Sequence, residues 1–252
     1  MHSFPFLEGV TNMRLFVPEQ CADAILKLLP YIPYTLLVVI VAMFLSSLFG
    51  LILAYMKLSG NKVAKSVAVI ITEMVRGTPF LILLFVVFYA LPELLKMIHI
   101  NMDGVGKLTY LFITLTLFSG SRLAEVFRSA YEAVDSTQME AAVSCGLSGF
   151  QAFYRIILPQ AFYIALPNLG NSLLAVLMET SLGYTIGLVD IMGKAKLINS
   201  FSYSTYTLEI YLAVALIYWF LSFLIDRLFG AMEQTAGKPY KMVTDSGKGE
   251  KT

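Results

Sequence analysis

Five long runs of apolar residues dominate the chain, at about 32–55, 67–91, 108–131, 161–189 and 208–229. A bilayer core roughly 30 Å thick is crossed by about 20 residues of helix, so each run predicts a membrane-spanning helix. The alternating ten-residue segments of an outer-membrane barrel are absent from the sequence. The first run carries no charge, and its Ser46, Ser47 and Gly50 are small enough to let another helix approach closely. Ahead of it, PEQCADAILKLLP spaces Ala22, Ile25, Leu26 and Leu29 for one helical face between Pro18 and Pro30. That pattern predicts a short amphipathic helix lying at the membrane interface. The chain therefore divides into an interfacial segment at 1–30, a spanning domain at 31–232 and a polar tail at 233–252. The segment MGKAKLINSFSYS reads as a polar loop between the fourth and fifth runs, and the fourth run is interrupted by Pro167, Asn168, Gly170 and Asn171.

Composition supports the same class. Of the 252 residues 58% are hydrophobic and only 14% charged, with a mean hydropathy of +0.74. A soluble domain carries roughly 25% charged residues. The expected fold is an all-α polytopic membrane protein with a lipid bilayer as its solvent. A net charge of +1 gives no footprint for nucleic acid. Cys21 and Cys145 fall in different expected compartments, which argues against a disulfide between them, and His2 and His99 suggest no metal site. With the N-terminus outside, five spans put Lys57, Lys62, Lys65, Arg128, Arg155, Arg227 and four tail lysines inside. Arg14, Lys27, Lys96, Lys107, Lys194 and Lys196 then lie outside, a moderate positive-inside bias that favours a cytoplasmic C-terminus. No internal repeat is evident, and an odd number of spans argues against an inverted duplication, so a two-fold pathway needs a second subunit.

The longest polar stretch between spans is 133–160. Glu140-Ala141-Ala142 favours helix, Gly146 permits a tight turn, and Ser148 with Gln151 has capping-box spacing for a second helix that presents Phe150, Phe153 and Tyr154. Two short helices about a bend suit insertion into a groove of a cytosolic partner. They equally suit an interfacial pair that only joins two spans.

Charges inside the runs cost roughly 2.5–3.5 kcal/mol each at the bilayer centre. Glu73 and Arg76, and likewise Arg122 and Glu125, stand at i, i+3 and can neutralise each other on their own helices. Alternatively these groups line a cavity for a zwitterion, with Arg76 or Arg122 for a carboxylate. Glu179 then suits an ammonium, since its own span gives it no basic neighbour at i±3 or i±4, and the bland alternative is an Arg on another helix or subunit. Gly77-Thr78-Pro79 after Arg76 is expected to free backbone groups at membrane depth, which is tolerated where they face protein or water. A plain proline kink would produce the same residues.

The spacing of Glu140-Ala141-Ala142, Gly146, Ile156 and Leu158-Pro159 resembles the signature of the membrane subunits of bacterial ABC importers. RGTP at 76–79, LPQA at 158–161 and ETSL at 179–182 are similar to the polar amino acid permease branch. EVFRSAYEAV and ETSLGYTIGLVDIMGKAK most resemble L-cystine permeases. The resemblance spans about 31–240 and implies a type I-like permease fold in which 133–160 is a coupling loop seated on a cytosolic ATP-binding subunit. It implies a second permease subunit, an extracytoplasmic substrate-binding protein, and ATP with Mg on the partner ATPase alone. No cofactor is expected in this chain. None of its Gly-Lys pairs, at Gly106, Gly193, Gly237 and Gly247, completes a phosphate-binding loop. The competing classes are a membrane-embedded enzyme, for which the spans hold no His/Asp/Glu cluster, and a passive channel, which would need no ATPase.

Overall fold

The computed structural model describes residues 16–102 and 104–236, with nothing but helices and connecting turns among them. Residues 1–15 and the tail beyond 236 lie outside the described residues. Helix α1 (Pro18–Leu28) runs through a short 3-10 turn, Leu29–Tyr31, straight into α2 (Ile32–Leu58). Pro30 therefore does not end the helix. A proline in the first turn of the following helix removes only an amide that has no partner there. The inward face of α1 also differs from expectation. Cys21, Ala24 and Leu28 are buried against the bundle, while Leu26 and Leu29 face outward at 68% and 44% exposure. Packing on α10 (Ile191–Phe201) and α11 (Thr207–Ala236) selects that face.

The run at 67–91 is divided in two. The amphipathic α3 (Lys62–Arg76) starts on an Asn61 cap whose side chain accepts the Val63 and Ala64 amides, and it ends at Gly77. Helix α4 (Phe80–Phe85), a π turn at Val86–Ala90 and α5 (Leu91–Met97) then form one continuous stretch. Helix α6 (Lys107–Glu132) crosses the middle of the molecule against α2, α3 and α9 (Leu158–Thr180). Four stretches, Pro18–Leu58, Phe80–Met97, Gly149–Ile186 and Thr207–Thr235, are long and apolar enough to cross a membrane, against five expected. The fifth, α6, has the length but carries Arg122, Glu125, Arg128 and Glu132. It can hold these charges because its neighbours, rather than lipid, surround much of it.

Small residues set the α2–α6 contact. A Cβ on Gly50 would sit 2.9 Å from the Gly120 carbonyl oxygen, and one on Gly120 would sit 3.0 Å from the Ser46 carbonyl oxygen. The Ser46 hydroxyl donates to the Leu115 carbonyl at 3.0 Å, so it bonds across the two helices, whereas Ser47 bonds within α2 to Met43. Helix α9 continues through Pro167 without a break, and Gly170 packs against the Phe229 ring of α11.

Both π turns, Val86–Ala90 and Phe153–Ile157, are followed at once by Leu-Pro, namely Leu91-Pro92 and Leu158-Pro159. A proline inside a helix lacks an amide and crowds the carbonyl four residues back. One extra residue in the preceding turn relieves that clash without ending the helix.

The segment expected as a polar loop after residue 191 is helix α10 instead. Asp190 caps it by accepting the Gly193 amide at 2.8 Å, and Ile191 and Ala195 are buried beneath it. Burial pushes the Asp190 carboxyl up to about 6 from the usual 3.8, against the opposing pull of the Gly193 amide and the Tyr218 hydroxyl. A folded-state value above the unfolded one favours the protonated folded chain. Its contribution to stability is therefore full below about pH 4 and is lost as pH rises through about 6. Asp190→Asn keeps the capping oxygen and removes the ionisation. Thermal unfolding in detergent should find Asp190→Asn more stable than the unaltered chain at pH 7.5, with the gap closing by pH 4.5. A gap independent of pH would contradict the assignment.

Candidate functional site

Residues 133–160 fold as two short helices around a bend. Helix α7 (Thr137–Ser144) ends at Cys145, and Gly146 follows at φ +90°. The Gly146 amide donates to the Val143 carbonyl at 2.9 Å and the Leu147 amide to the Ala142 carbonyl at 3.1 Å. That pair of bonds closes the helix end through a left-handed residue. Helix α8 (Gly149–Ala152) then opens on a full capping box, with Ser148 and Gln151 each bonding the other's backbone amide. It passes through the π turn into α9.

The faces of this element differ sharply. Ala142, Ala152 and Ile157 are buried, and Phe153 turns inward to meet the Tyr131 ring at 6.2 Å. Phe150 and Tyr154, stacked at 6.4 Å, remain 77% and 63% exposed, and Val143 and Leu158 are also exposed. Glu140, Ala141, Gly146 and Pro159 lie on the exposed side, with Ile156 half-buried. The element thus presents an apolar, aromatic knob on α8 and its following turn, and an exposed Glu140 on α7. A side-chain bond from Gln160 to Gln138 at 2.5 Å ties α7 to the start of α9 at the base of the element.

The charged groups pair differently from the i, i+3 expectation. Arg122 does not meet Glu125. Its Nη1 lies 2.8 Å from one oxygen of Glu179 on α9, and its Nη2 donates to the other at 3.0 Å and to Ser119 at 3.0 Å. The Ser119 hydroxyl also donates to Glu179 at 3.0 Å. Glu179 therefore meets an Arg of another helix, Arg122 of α6. The reason is energetic: an interior carboxylate left alone costs far more than a partly exposed pair within one helix returns. The Arg122 guanidinium lies 5.0 Å above the Phe118 ring, and Phe118 meets Phe80 edge-on at 5.3 Å. The buried Nε of Arg122 has no partner among the described residues.

Glu125 is taken by two other cations. Its Oε1 pairs with Lys57 and its Oε2 accepts from Arg128 Nε at 2.9 Å. Lys57 is only 6% exposed and was not among the expected site residues. A usable signal was present, since Ser46, Gly50, Leu53, Ala54 and Lys57 share one helical stripe and all are buried. Arg76 lies apart from the Arg122 cluster in its pairing. It meets Glu73 at 3.7 Å, with both side chains well exposed. Nor does the break after Arg76 leave its amides free. The Gly77 amide bonds to Glu73 and the Thr78 amide to Val75, and the Thr78 hydroxyl bonds to Met74. Pro79 begins the helical stretch whose first side chain, Phe80, reaches the Arg122 cluster through Phe118.

Comparison with known proteins places the chain among transport permeases. The family model described as "Binding-protein-dependent transport system inner membrane component" matches residues 46–238. The probable amino-acid permease protein YxeN of Bacillus subtilis (strain 168) is 37% identical over 223 residues, 88% of this chain and 97% of that protein. The L-cystine transport system permease protein TcyL of the same organism is 34% identical over 226 residues, 89% of this chain and 93% of that protein. A crystal structure of an amino acid ABC transporter with histidines superposes with a TM-score of 0.72 at 29% identity, over 93% of this chain and 100% of that one.

Proposed function

We infer the cargo and assembly of this chain from its family: it belongs to the binding-protein-dependent transport system inner membrane components, and is the multi-pass permease subunit of a bacterial ABC importer rather than an enzyme. The cargo is a polar amino acid, with L-cystine placed first. The observation that carries this reading is the interior Arg122–Glu179–Ser119 cluster. A zwitterion needs a cation for its carboxylate and an anion for its ammonium, and Arg122 and Glu179 are such a pair on two different helices. The spare Nε of Arg122 adds a donor that a bound carboxylate would satisfy. In the empty state each charge screens the other, so neither is stranded in the bilayer. The placing of L-cystine rests on the resemblance of EVFRSAYEAV and ETSLGYTIGLVDIMGKAK, together with similarity to a permease named for that cargo.

The assembly follows from the same family. The 133–160 element, with its exposed Phe150, Tyr154 and Glu140, docks on cytosolic ATP-binding subunits, which alone hold ATP and Mg. A second permease subunit, identical or homologous, completes the pathway. A substrate-binding protein delivers cargo from outside, the N-terminus is external, and the C-terminus is cytoplasmic, as the Lys and Arg bias favours.

Copurification of the intact complex, followed by ATPase assays across a panel of amino acids with the binding protein present, tests this. L-cystine is expected to stimulate hydrolysis, and proteoliposome uptake is expected to require both ATP and the ATPase chain. Uptake without the ATPase chain would make the permease a passive channel. Stimulation by another amino acid but not by L-cystine would overturn the choice of cargo alone.

A further inference from the structure

We propose that Lys57 is a positioning residue through which movement of the 133–160 element is passed from α6 to the α2–α3 pair. This rests on the reading of 133–160 as the element that meets the ATP-binding subunit.

The anomaly lies in where Lys57 points. It is the second-last residue of α2, and a lysine so near a helix end ordinarily extends its stem to water. Lys62 and Lys65, a few residues on, do face outward. The Lys57 side chain instead turns inward, with 4% of it exposed. Leu53 of its own helix, Ala68 of α3 and Ala124 of α6 form a buried apolar cluster there, with Met56 and Ile71 packed against it. A buried ammonium without partners would be expensive. This one has two, on different helices. Its Nζ donates to Thr72 Oγ1 of α3 at 2.6 Å and pairs with Glu125 Oε1 of α6. The Thr72 hydroxyl donates its own proton to the Ala68 and Val69 carbonyls, which turns a lone pair to Lys57.

The chain of contacts continues to the mouth of the docking element. Glu125 Oε2 accepts from Arg128, and Arg128 Nη1 donates to Glu132 at 2.5 Å. Glu132 is the last residue of α6. Just beyond it, Val134, with Tyr131 beside it, packs against Met139 of α7 and against Phe153 and Ile157. A displacement of α7 and α8 is therefore delivered to the end of α6 through an apolar contact. The only described side-chain ion pair that then ties α6 to α2 is Lys57–Glu125. Contiguous packed and hydrogen-bonded groups of this kind can carry coupling between distant sites.

The arrangement permits a clean test. Removing the ammonium leaves Glu125 paired with Arg128, so the α6 ladder and the Ser46–Leu115 and Gly50–Gly120 contacts with α2 survive, and only the polar link from Glu125 to Lys57 and Thr72 is lost. The complete transporter, with its ATP-binding subunits and binding protein, is reconstituted in proteoliposomes as the unaltered form, Lys57→Met, Lys57→Arg and Thr72→Val. Hydrolysis and uptake of radiolabelled L-cystine, or of whichever panel amino acid the unaltered complex transports, are measured together. Lys57→Met is expected to lower uptake per ATP by about tenfold with hydrolysis held within about twofold, a typical coupling factor. Lys57→Arg should retain about half the unaltered ratio or more, because it keeps a donor on both partners, and Thr72→Val should fall between them. An unchanged ratio in Lys57→Met overturns the proposal. So does a parallel loss of hydrolysis and uptake in both the Met and Arg variants, which would make Lys57 merely structural. If the unaltered complex itself shows no ATP-dependent uptake, the importer reading fails instead.

Discussion

Glu179→Leu is expected to lower the stability of the folded permease by about 1–3 kcal/mol, less than the cost of breaking a fully buried ion pair because the Arg122 side chain left behind is 32% exposed. Glu179 holds both Nη atoms of Arg122, and Ser119 alone would remain as their partner. Denaturant or thermal unfolding of the purified protein reads the loss. The double replacement Arg122→Met with Glu179→Leu distinguishes stability from transport. Replacing both charges with apolar groups is often neutral or stabilising, so the double variant should recover much of the lost stability. It should not recover uptake, because the groups that receive the two ends of the zwitterion are gone. A stable double variant that transports normally would show that the pair only holds α6 to α9. A single Glu179→Leu variant of full stability would show that the pair is unimportant even for that.

The second large effect concerns the bend at Gly146. Gly146→Pro is expected to reduce uptake to background while leaving the chain inserted in the membrane. Proline holds φ near −65° and has no amide hydrogen. The position requires φ +90° and an amide that donates to Val143. The turn would open, and α8 with Phe150 and Tyr154 would shift relative to α7 and Glu140. No other side chain approaches this glycine, so the defect should be local and the melting temperature little changed. Gly146→Ala offers the graded comparison, since a left-handed residue with a Cβ costs only about 1–2 kcal/mol. Uptake should therefore survive in part. Normal uptake in Gly146→Pro would remove the docking role from this element. Glu140→Lys tests the same surface by charge reversal, with loss of uptake expected and normal uptake counting against docking.

Much of the helical layout was legible because apolar runs and their breakers act locally. The close α2 contact was visible in Ser46 and Gly50, and the two-helix element in Gly146, Ser148 and Gln151. Three features were not. The continuity of α1 with α2 was hidden by Pro30, which looks like a stop although the first turn of a helix tolerates it. Helix α10 read as a loop because its lysines and Asn199 are polar, whereas burial of Ile191 and Ala195 beneath it is a matter of tertiary packing. The π turns before Pro92 and Pro159 adjust an internal clash and leave no mark in hydropathy.

The sequence by itself determined the solvent of this protein, its helical class and the signature of its family, since all three are written in local composition and in the spacing from Glu140 to Pro159. Only the tertiary structure decided which charges answer which. Arg122 stands three residues from Glu125, yet it pairs with Glu179, and Glu125 takes Lys57 from another helix. Local spacing fixes which partners are within reach along one helix. In a low-dielectric interior the pairing is set by which buried charge would otherwise be stranded, and that depends on how whole helices pack.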